Sequence, residues 1–306
     1  MIIFGFILGT ILGSFAKALA DRSLKNKSFL GRSYCPKCKH NLGWYDLFPI
    51  FSYILLKGKC RYCKKRISIE YLIVEIVMGF LIAYLFFQSS LVVIASPARG
   101  GTWQSLFFNY ELLKLTFGLL LKTFFITILV SVTLTDLRKT LIPDKIIIPS
   151  IWIALTSLLL FTIYNVGYLY YYLNQTPVGK LLLPPHSDYF IRHAYYSAEP
   201  LIYGILTGAA IAGFFMALII ITRGRGMGGG DVKLGGFMGL ILGFPGGVLA
   251  VVLGFISGAI VAVGLIFLGK KRFGENIPFG PFLVAGSLIA LFWGTEIINW
   301  YLQLSS

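Results

Sequence analysis

The chain has 306 residues, 57% of them hydrophobic and only 13% charged, with a formal net charge of +15. That composition is too apolar for a soluble domain, and runs of roughly 20 apolar residues recur from end to end, the length a membrane-spanning helix needs. The basic excess lies in segments that flank the apolar runs, which is a signal of membrane topology, so the expected partner is the lipid bilayer and not nucleic acid.

The first apolar run, residues 2–20, has no basic residue before it and has Lys17, Arg22, Lys25 and Lys27 at or beyond its far end. A cleavable secretory signal has the reverse polarity, so this run is expected to remain attached with the N-terminus outside. Further spans are predicted over 71–87, 112–135, 145–164, 201–222, 232–243, 247–269 and 281–301. Eight crossings put both termini outside the cytoplasm. The connections that this topology makes cytoplasmic are the basic ones: residues 21–70 with twelve Lys and Arg, Arg138 with Lys139, Arg223 with Arg225, and Lys270 with Lys271 and Arg272. The opposite loops, about 88–111 and 165–200, hold Arg99 in one and Lys180 and Arg192 in the other. Their Tyr and Phe residues read as interfacial anchors, and His186 and His193, like His40 near the cysteines, as solvated loop side chains. The expected architecture is all-α and polytopic, with about eight transmembrane helices. It divides into a first helix (1–20), a small cytoplasmic domain (21–70) and a seven-helix membrane domain (71–306).

All four cysteines fall in that first connection, as Cys35-Pro36-Lys37-Cys38 and Cys60-Arg61-Tyr62-Cys63. Each C-x-x-C knuckle aims two sulfurs at one centre, and two knuckles supply the tetrahedral thiolate set that Zn²⁺ prefers. Disulfides are the competing reading. A reducing cytoplasm argues against them, and Lys37, Lys39, Lys59, Arg61 and Lys64 favour the thiolate form. A closed four-sulfur site has no open coordination position, so the zinc is expected to hold the fold of a domain too small to be secure on its hydrophobic core alone.

Carboxylates beside lipid are expensive, and two stand at the edges of predicted spans. Asp136 ends the run Thr133-Leu134-Thr135-Asp136, and Asp231 follows Gly228-Gly229-Gly230. By itself, Asp136 would be read as a surface carboxylate pairing with Arg138 or Lys139. Asp144, after Pro143, has a helix cap as its favoured role. The glycines before Asp231, Gly228 and Gly230 among them, let the backbone take unusual angles and let an extended peptide come close to the carboxylate. The apolar run after Asp231 reaches only to about residue 243, too short to cross the bilayer as a helix, so Asp231 is expected below the membrane surface in a water-filled recess. The Gly-Gly-Gly-Asp-Val-Lys order lacks the Gly-Lys-Ser/Thr end of a phosphate-binding loop, which excludes nucleotide binding there. Two carboxylates brought together share one proton; the ionised one draws a proton from water attacking a peptide carbonyl while the protonated one donates to the carbonyl oxygen.

With these residues assembled, the chain resembles the type IV prepilin peptidases, intramembrane aspartyl proteases of the GxGD class. The resemblance runs over nearly the whole chain. It rests on Gly13-Ser14-Phe15, the cysteine frame with Trp44-Tyr45-Asp46 and Lys57-Gly58-Lys59-Cys60, Asp136 through Ile142-Pro143-Asp144, Gly228-Gly229-Gly230-Asp231-Val232-Lys233, and Ile277-Pro278-Phe279-Gly280-Pro281. It implies that Asp136 and Asp231 are the catalytic pair and that Cys35, Cys38, Cys60 and Cys63 bind zinc. It further implies that the enzyme sits in a bacterial inner membrane, removes the short basic leader of prepilins and pseudopilins of type IV pilus or type II secretion systems, and then N-methylates the new N-terminal residue with S-adenosylmethionine. The chain departs from the family pattern at Lys17, where members often carry Asn, and at Glu70-Tyr71-Leu72, where they often carry Arg-Tyr-Pro. For the methyl donor, Gly58, Glu70 and Glu75 are candidates on position alone, with knuckle geometry and helix-end solvation as their competing roles. Two other readings stand beside the bifunctional enzyme. One is a protease without methyl transfer. The other, from a different class, is a transporter or scaffold, but such folds often have paired discontinuous spans in two similar halves, which this chain lacks.

Overall fold

A computed structural model describes residues 1–29, 31–35, 37–95, 104–224, 227–269 and 277–305. Its helices are α1 (Ile2–Leu24), α2 (Phe51–Leu55), α3 (Glu70–Ala95), α4 (Gln104–Lys139), α5 (Asp144–Asn174), α6 (Pro177–Leu181), α7 (Tyr189–Ile221), α8 (Gly229–Phe267) and α9 (Gly280–Ser305). Among the described residues the only β pairing is two isolated bridges, Tyr34 with Asn41 and Lys59 with Arg66. Seven helices, all but α2 and α6, are long and apolar enough to cross a membrane. Within α8, Gly243 (φ 60°) and Phe244 leave helical angles just before Pro245, whose ring has no N–H to continue the ladder. The sequence divided this run into two spans at the same point. Of the basic residues used for topology, Arg99, Arg225 and Lys270 to Arg272 lie outside the described residues, as does Pro36 of the first knuckle.

The chain forms two compact units, Met1–Lys139 and Thr140–Ser306. In the first, α1 lies against α3 through small residues spaced four apart. A Cβ at Gly9 would stand 2.4 Å from the Met78 carbonyl oxygen, so the close approach of these helices requires glycine there. On α4, Thr123, Thr127, Ser131 and Thr135 are buried at the same four-residue spacing. The hydroxyls of Thr127, Ser131 and Thr135 donate to carbonyls one turn back, as in Ser131 Oγ to Thr127 O at 2.7 Å, so these three are satisfied inside their own helix. In the second unit α7, α8 and α9 pack in succession, and a Cβ on Gly239 of α8 would meet the Gly208 backbone of α7 at 2.6 Å.

Several helices run well past the predicted spans. The stretches 165–174 and 189–200, expected as loop, continue α5 and begin α7, and α4 starts at Gln104 inside the other expected loop. Apolar composition marks the part of a helix suited to lipid, whereas the helix goes on as long as its backbone bonds are made. In α7 the ladder passes Pro200, and the Tyr189 and His193 rings stack one turn apart at 3.8 Å. His193 is therefore a helical residue whose ring Nδ1 meets Tyr189 O, not a loop side chain.

Candidate active site and thiol cluster

The two knuckles share one geometry. Lys39 N–H donates to Cys35 O and Cys35 N–H to His40 O; Lys64 N–H donates to Cys60 O and Cys60 N–H to Lys65 O. In each, the residue after the second cysteine takes positive φ, 59° at Lys39 and 52° at Lys64, a strain of about 1–2 kcal/mol that a non-glycine residue tolerates only where its surroundings fix it. The four sulfurs lie within 4.8 Å of one another, and Cys35 Sγ stands 3.9 Å from Cys63 Sγ. All four thiols are free, with Cys35 and Cys60 buried. Burial opposes ionisation of Cys35, but hydrogen bonds from the backbone at Cys38 and Lys37 and from neighbouring thiols bring its pKa down to about 7. Cys38 accepts from the His40 backbone, yet desolvation and the Cys35 and Cys63 sulfurs push it up to about 11. Such opposed shifts are what crowded thiols give when no cation shares their charge, and the donor set fits a divalent metal ion. Asp46 ties the second knuckle to the Trp44–Asp46 turn: its carboxylate, 3% exposed, accepts from Arg61 Nε at 2.8 Å and from Tyr62 Oη at 3.3 Å.

The cluster sits at one end of the first helices. There the end of α1, the start of α3 and the end of α4 meet in an ionic network. Lys17, fully buried, reaches Asp21 and Glu70, each at 3.1 Å, and Arg138 pairs with both of the same carboxylates. Tyr71 Oη donates to Asp21 Oδ2 at 2.7 Å. In the sequence Lys17 counted among the basic residues at the far end of the first span, and helix-end solvation competed with a methyl-donor role for Glu70 and Glu75. Instead, Lys17 is enclosed by partners, and Glu75 is only 6% exposed and accepts the Ile50 N–H at 2.8 Å. No local pattern announces these contacts, since Glu70 is 53 residues from Lys17 and Glu75 is 25 from Ile50.

Asp136 lies in the last turns of α4, at the same end of the first unit as the thiol cluster, and is only 5% exposed. Its neighbour Arg138 is engaged by α1 and α3. Asp231 belongs to the second unit, half-buried in the first turn of α8. Gly228 is the cap residue, and the Asp231 carboxylate reaches back to accept its N–H at 3.2 Å, which satisfies a donor at the helix start and suits the positive end of the helix dipole. A Cβ on Gly230 would come 2.9 Å from Ile142 Cβ, so glycine lets the Asp231 turn lie on the Ile142-Pro143-Asp144 segment. Lys233 closes the contact from the other side by pairing with Asp144. Asp144 is the first helical residue of α5, and Pro143 occupies the cap position predicted for it. The two sequence motifs of this unit, 142–144 and 228–233, are thus one packed feature.

These features define a polytopic helical membrane protein with a thiol cluster in its first connection and, in each unit, a carboxylate at the end of a long helix. Residues 7–89 match the Bacterial Peptidase A24 N-terminal domain, and residues 189–263 the Type IV leader peptidase family. A prepilin leader peptidase/N-methyltransferase of Aeromonas salmonicida is 31% identical over 273 residues, covering 89% of this chain and 75% of that protein. One of the same description from Bacillus subtilis is 28% identical over 305 residues, covering 98% and 97%, and one from Pseudomonas aeruginosa 29% over 277 residues, covering 90% and 76%. No solved structure gives a match. The chain belongs to the type IV leader peptidase family.

Proposed function

We propose that this protein removes the leader of prepilins and pseudopilins of type IV pilus or type II secretion systems, with Asp136 and Asp231 as the catalytic pair, and then methylates the new N-terminal residue. The observation that carries this reading is the seating of the Gly230-Asp231 turn on Ile142-Pro143-Asp144, since only five residues of chain separate Ile142 from Asp136.

As a pair sharing one proton, one aspartate takes a proton from the attacking water while the other donates to the scissile carbonyl oxygen, and neither a serine nor a cysteine nucleophile is needed. Gly228 leaves the approach to Asp231 free of a side chain, so that an extended substrate can lie along it, while Gly230 seats the turn on Ile142. The substrate class suits a membrane site, because a prepilin is anchored by an apolar helix with its basic leader at the membrane surface.

The enzyme is proposed to sit in a bacterial inner membrane with both termini outside and residues 21–70 as a cytoplasmic zinc domain between the first helix (1–20) and the peptidase helices (71–306). A tetrahedral Zn²⁺ with bonds of about 2.3 Å sets its sulfurs about 3.8 Å apart, close to the separation of Cys35 and Cys63. With Cys35, Cys38, Cys60 and Cys63 as its ligands, the metal holds the knuckles together and takes no part in either reaction. S-adenosylmethionine, when bound, supplies the electrophilic methyl carbon to the new N-terminal amine.

The test is mass spectrometry of a prepilin incubated with the purified protein in detergent, with and without S-adenosylmethionine. Loss of the leader in both, plus one methyl group only with the donor, is the expected result. Loss of the leader without methylation, where a control enzyme methylates the same peptide, would leave a protease alone. An intact prepilin would contradict the reading.

A further inference from the structure

Residues 47–56, from Leu47 through Pro49 and α2 to Leu56, hold no charged side chain in a connection otherwise dense with Lys and Arg. Their bulky groups are on the outside. Trp44 just before them is 76% exposed, Phe51 70% and Leu55 80%, and Phe48 and Ile54 are exposed with them. A domain this small has few apolar side chains to leave in water, so a cluster of this kind marks a contact surface. We propose that residues 44–56 dock in the inner leaflet of the bilayer, their apolar side chains at the acyl boundary and the basic run that follows them on anionic headgroups. The side of the membrane is the one proposed above.

Depth selects lipid as the occupant. Ile50 N–H donates to Glu75 Oε2 at 2.8 Å, and Glu75 stands five residues inside α3, about 7.5 Å along its axis from Glu70. The other helix agrees: a Cβ at Gly13 of α1 would stand 2.9 Å from Glu75 Cα, and Gly13 is one turn farther from the charged end of α1 than Lys17. Lys17, Asp21, Glu70 and Arg138 make the ionic network at that end. The turn at Ile50 therefore reaches a full helical turn past the network, alongside helices long and apolar enough to span a membrane. Ile50 takes φ 61° to enter α2, an angle a β-branched residue rarely adopts, and the bond to the buried Glu75 carboxylate fixes it there.

Immersion also requires backbone donors to be satisfied without water. Phe51 and Ser52 N–H donate to Pro49 O and Phe48 O, Ile54 to Ile50 O, Leu56 to Ser52 O, and Lys57 and Gly58 to Ile54 O and Tyr53 O. Pro49 has no N–H to satisfy. The one charge nearby, Asp46, is turned inward to Arg61 and is not offered to lipid. Beyond the segment, Lys57, Lys59, Lys64, Lys65 and Arg66 are exposed, the cationic flank that an apolar surface segment uses on an anionic leaflet. The connection is thus tied to the membrane at both ends by α1 and α3 and in its middle by residues 44–56.

The experiment uses the full-length protein in vesicles of phosphatidylethanolamine and phosphatidylglycerol that carry a phospholipid with an aryl diazirine on its acyl chain. After irradiation the labelled peptides are mapped. Ile7 and Ile11, exposed on α1, are the positive reference, and the exposed stretch 37–41 of the first knuckle is the negative one. Prepilin cleavage is followed in the same vesicles, so that failure of the docking and failure of the peptidase reading are separate results. The expected map has label on 44–56 comparable to that on α1 and none on 37–41. In the double variant Phe51→Gln with Leu55→Gln, label on 44–56 should fall at least about tenfold, because two large apolar anchors are lost. Both side chains are exposed, so the core is unchanged, and zinc content is the folding control. If the double variant loses its zinc, the wild-type map decides. Absence of label from 44–56 while α1 is labelled would overturn the docking and leave this face to a protein partner, either the apolar helix of a prepilin or a second copy of this chain. Undiminished label in a zinc-retaining double variant would overturn it as well.

Discussion

The two units hold their carboxylates by opposite means. The first uses charge: Asp21 and Glu70 are shared between Lys17 and Arg138, Asp46 is held by Arg61, and four thiols converge on one centre. Asp136 stands at the end of a helix fixed by that network. The second unit uses the absence of side chains. Lys233 pairs with Asp144, and Asp231 is positioned by a backbone N–H and by a glycine pressed on Ile142. One half of the proposed pair thus depends on neighbouring charges being present, and the other on neighbouring carbon being absent.

That contrast predicts different ways to break each half. The largest effect on the first unit is expected from the thiol cluster. Cys35→Ser or Cys60→Ser, or a strong chelator, should release bound zinc and open residues 21–70 to proteolysis, since binding energy for such sites is largely folding energy. Metal analysis and limited proteolysis read this directly, and unchanged values for both would remove the metal from the account. Next in size is the ionic network. Asp21→Asn leaves the buried Lys17 with Glu70 alone and should cost about 3 kcal/mol, whereas Lys17→Met, which removes the enclosed charge itself, should cost less than about 1 kcal/mol. Thermal unfolding of the two variants tests the order, and equal losses would mean that charge is not what holds this end together.

In the second unit the smaller perturbation is an added methyl. Gly230→Ala should cost about 1–3 kcal/mol by overpacking on Ile142, and the pair Gly230→Ala with Ile142→Ala should recover part of it, because the two sites share one contact. A double variant no better than the sum of its singles would argue that Gly230 serves backbone conformation and not close approach.

Much of this was legible in the sequence, and the exceptions have physical causes. Local spacing was enough for the cysteine knuckles, and the end of the apolar run near residue 243 was enough to divide α8. The ends of α5 and α7 were not legible, because Tyr-rich turns such as 168–172 and 189–196 look like loop by composition while still forming helix. The burial of Lys17 and Glu75 and the contact of 142–144 with 228–233 were equally hidden. Each depends on a partner 25 to 89 residues away, and a sequence period cannot report a contact made across the fold. The candidate catalytic residues were found by their cost beside lipid, whereas the residues that position them appeared only with the fold.

The most direct test of the catalytic pair is the rate of prepilin cleavage by Asp136→Asn, Asp231→Asn and the double variant, each checked for membrane insertion and zinc. Two carboxylates acting as a unit predict that either single change lowers cleavage by about 10³-fold or more and that the double loses little further. Full processing by either single variant would contradict the account.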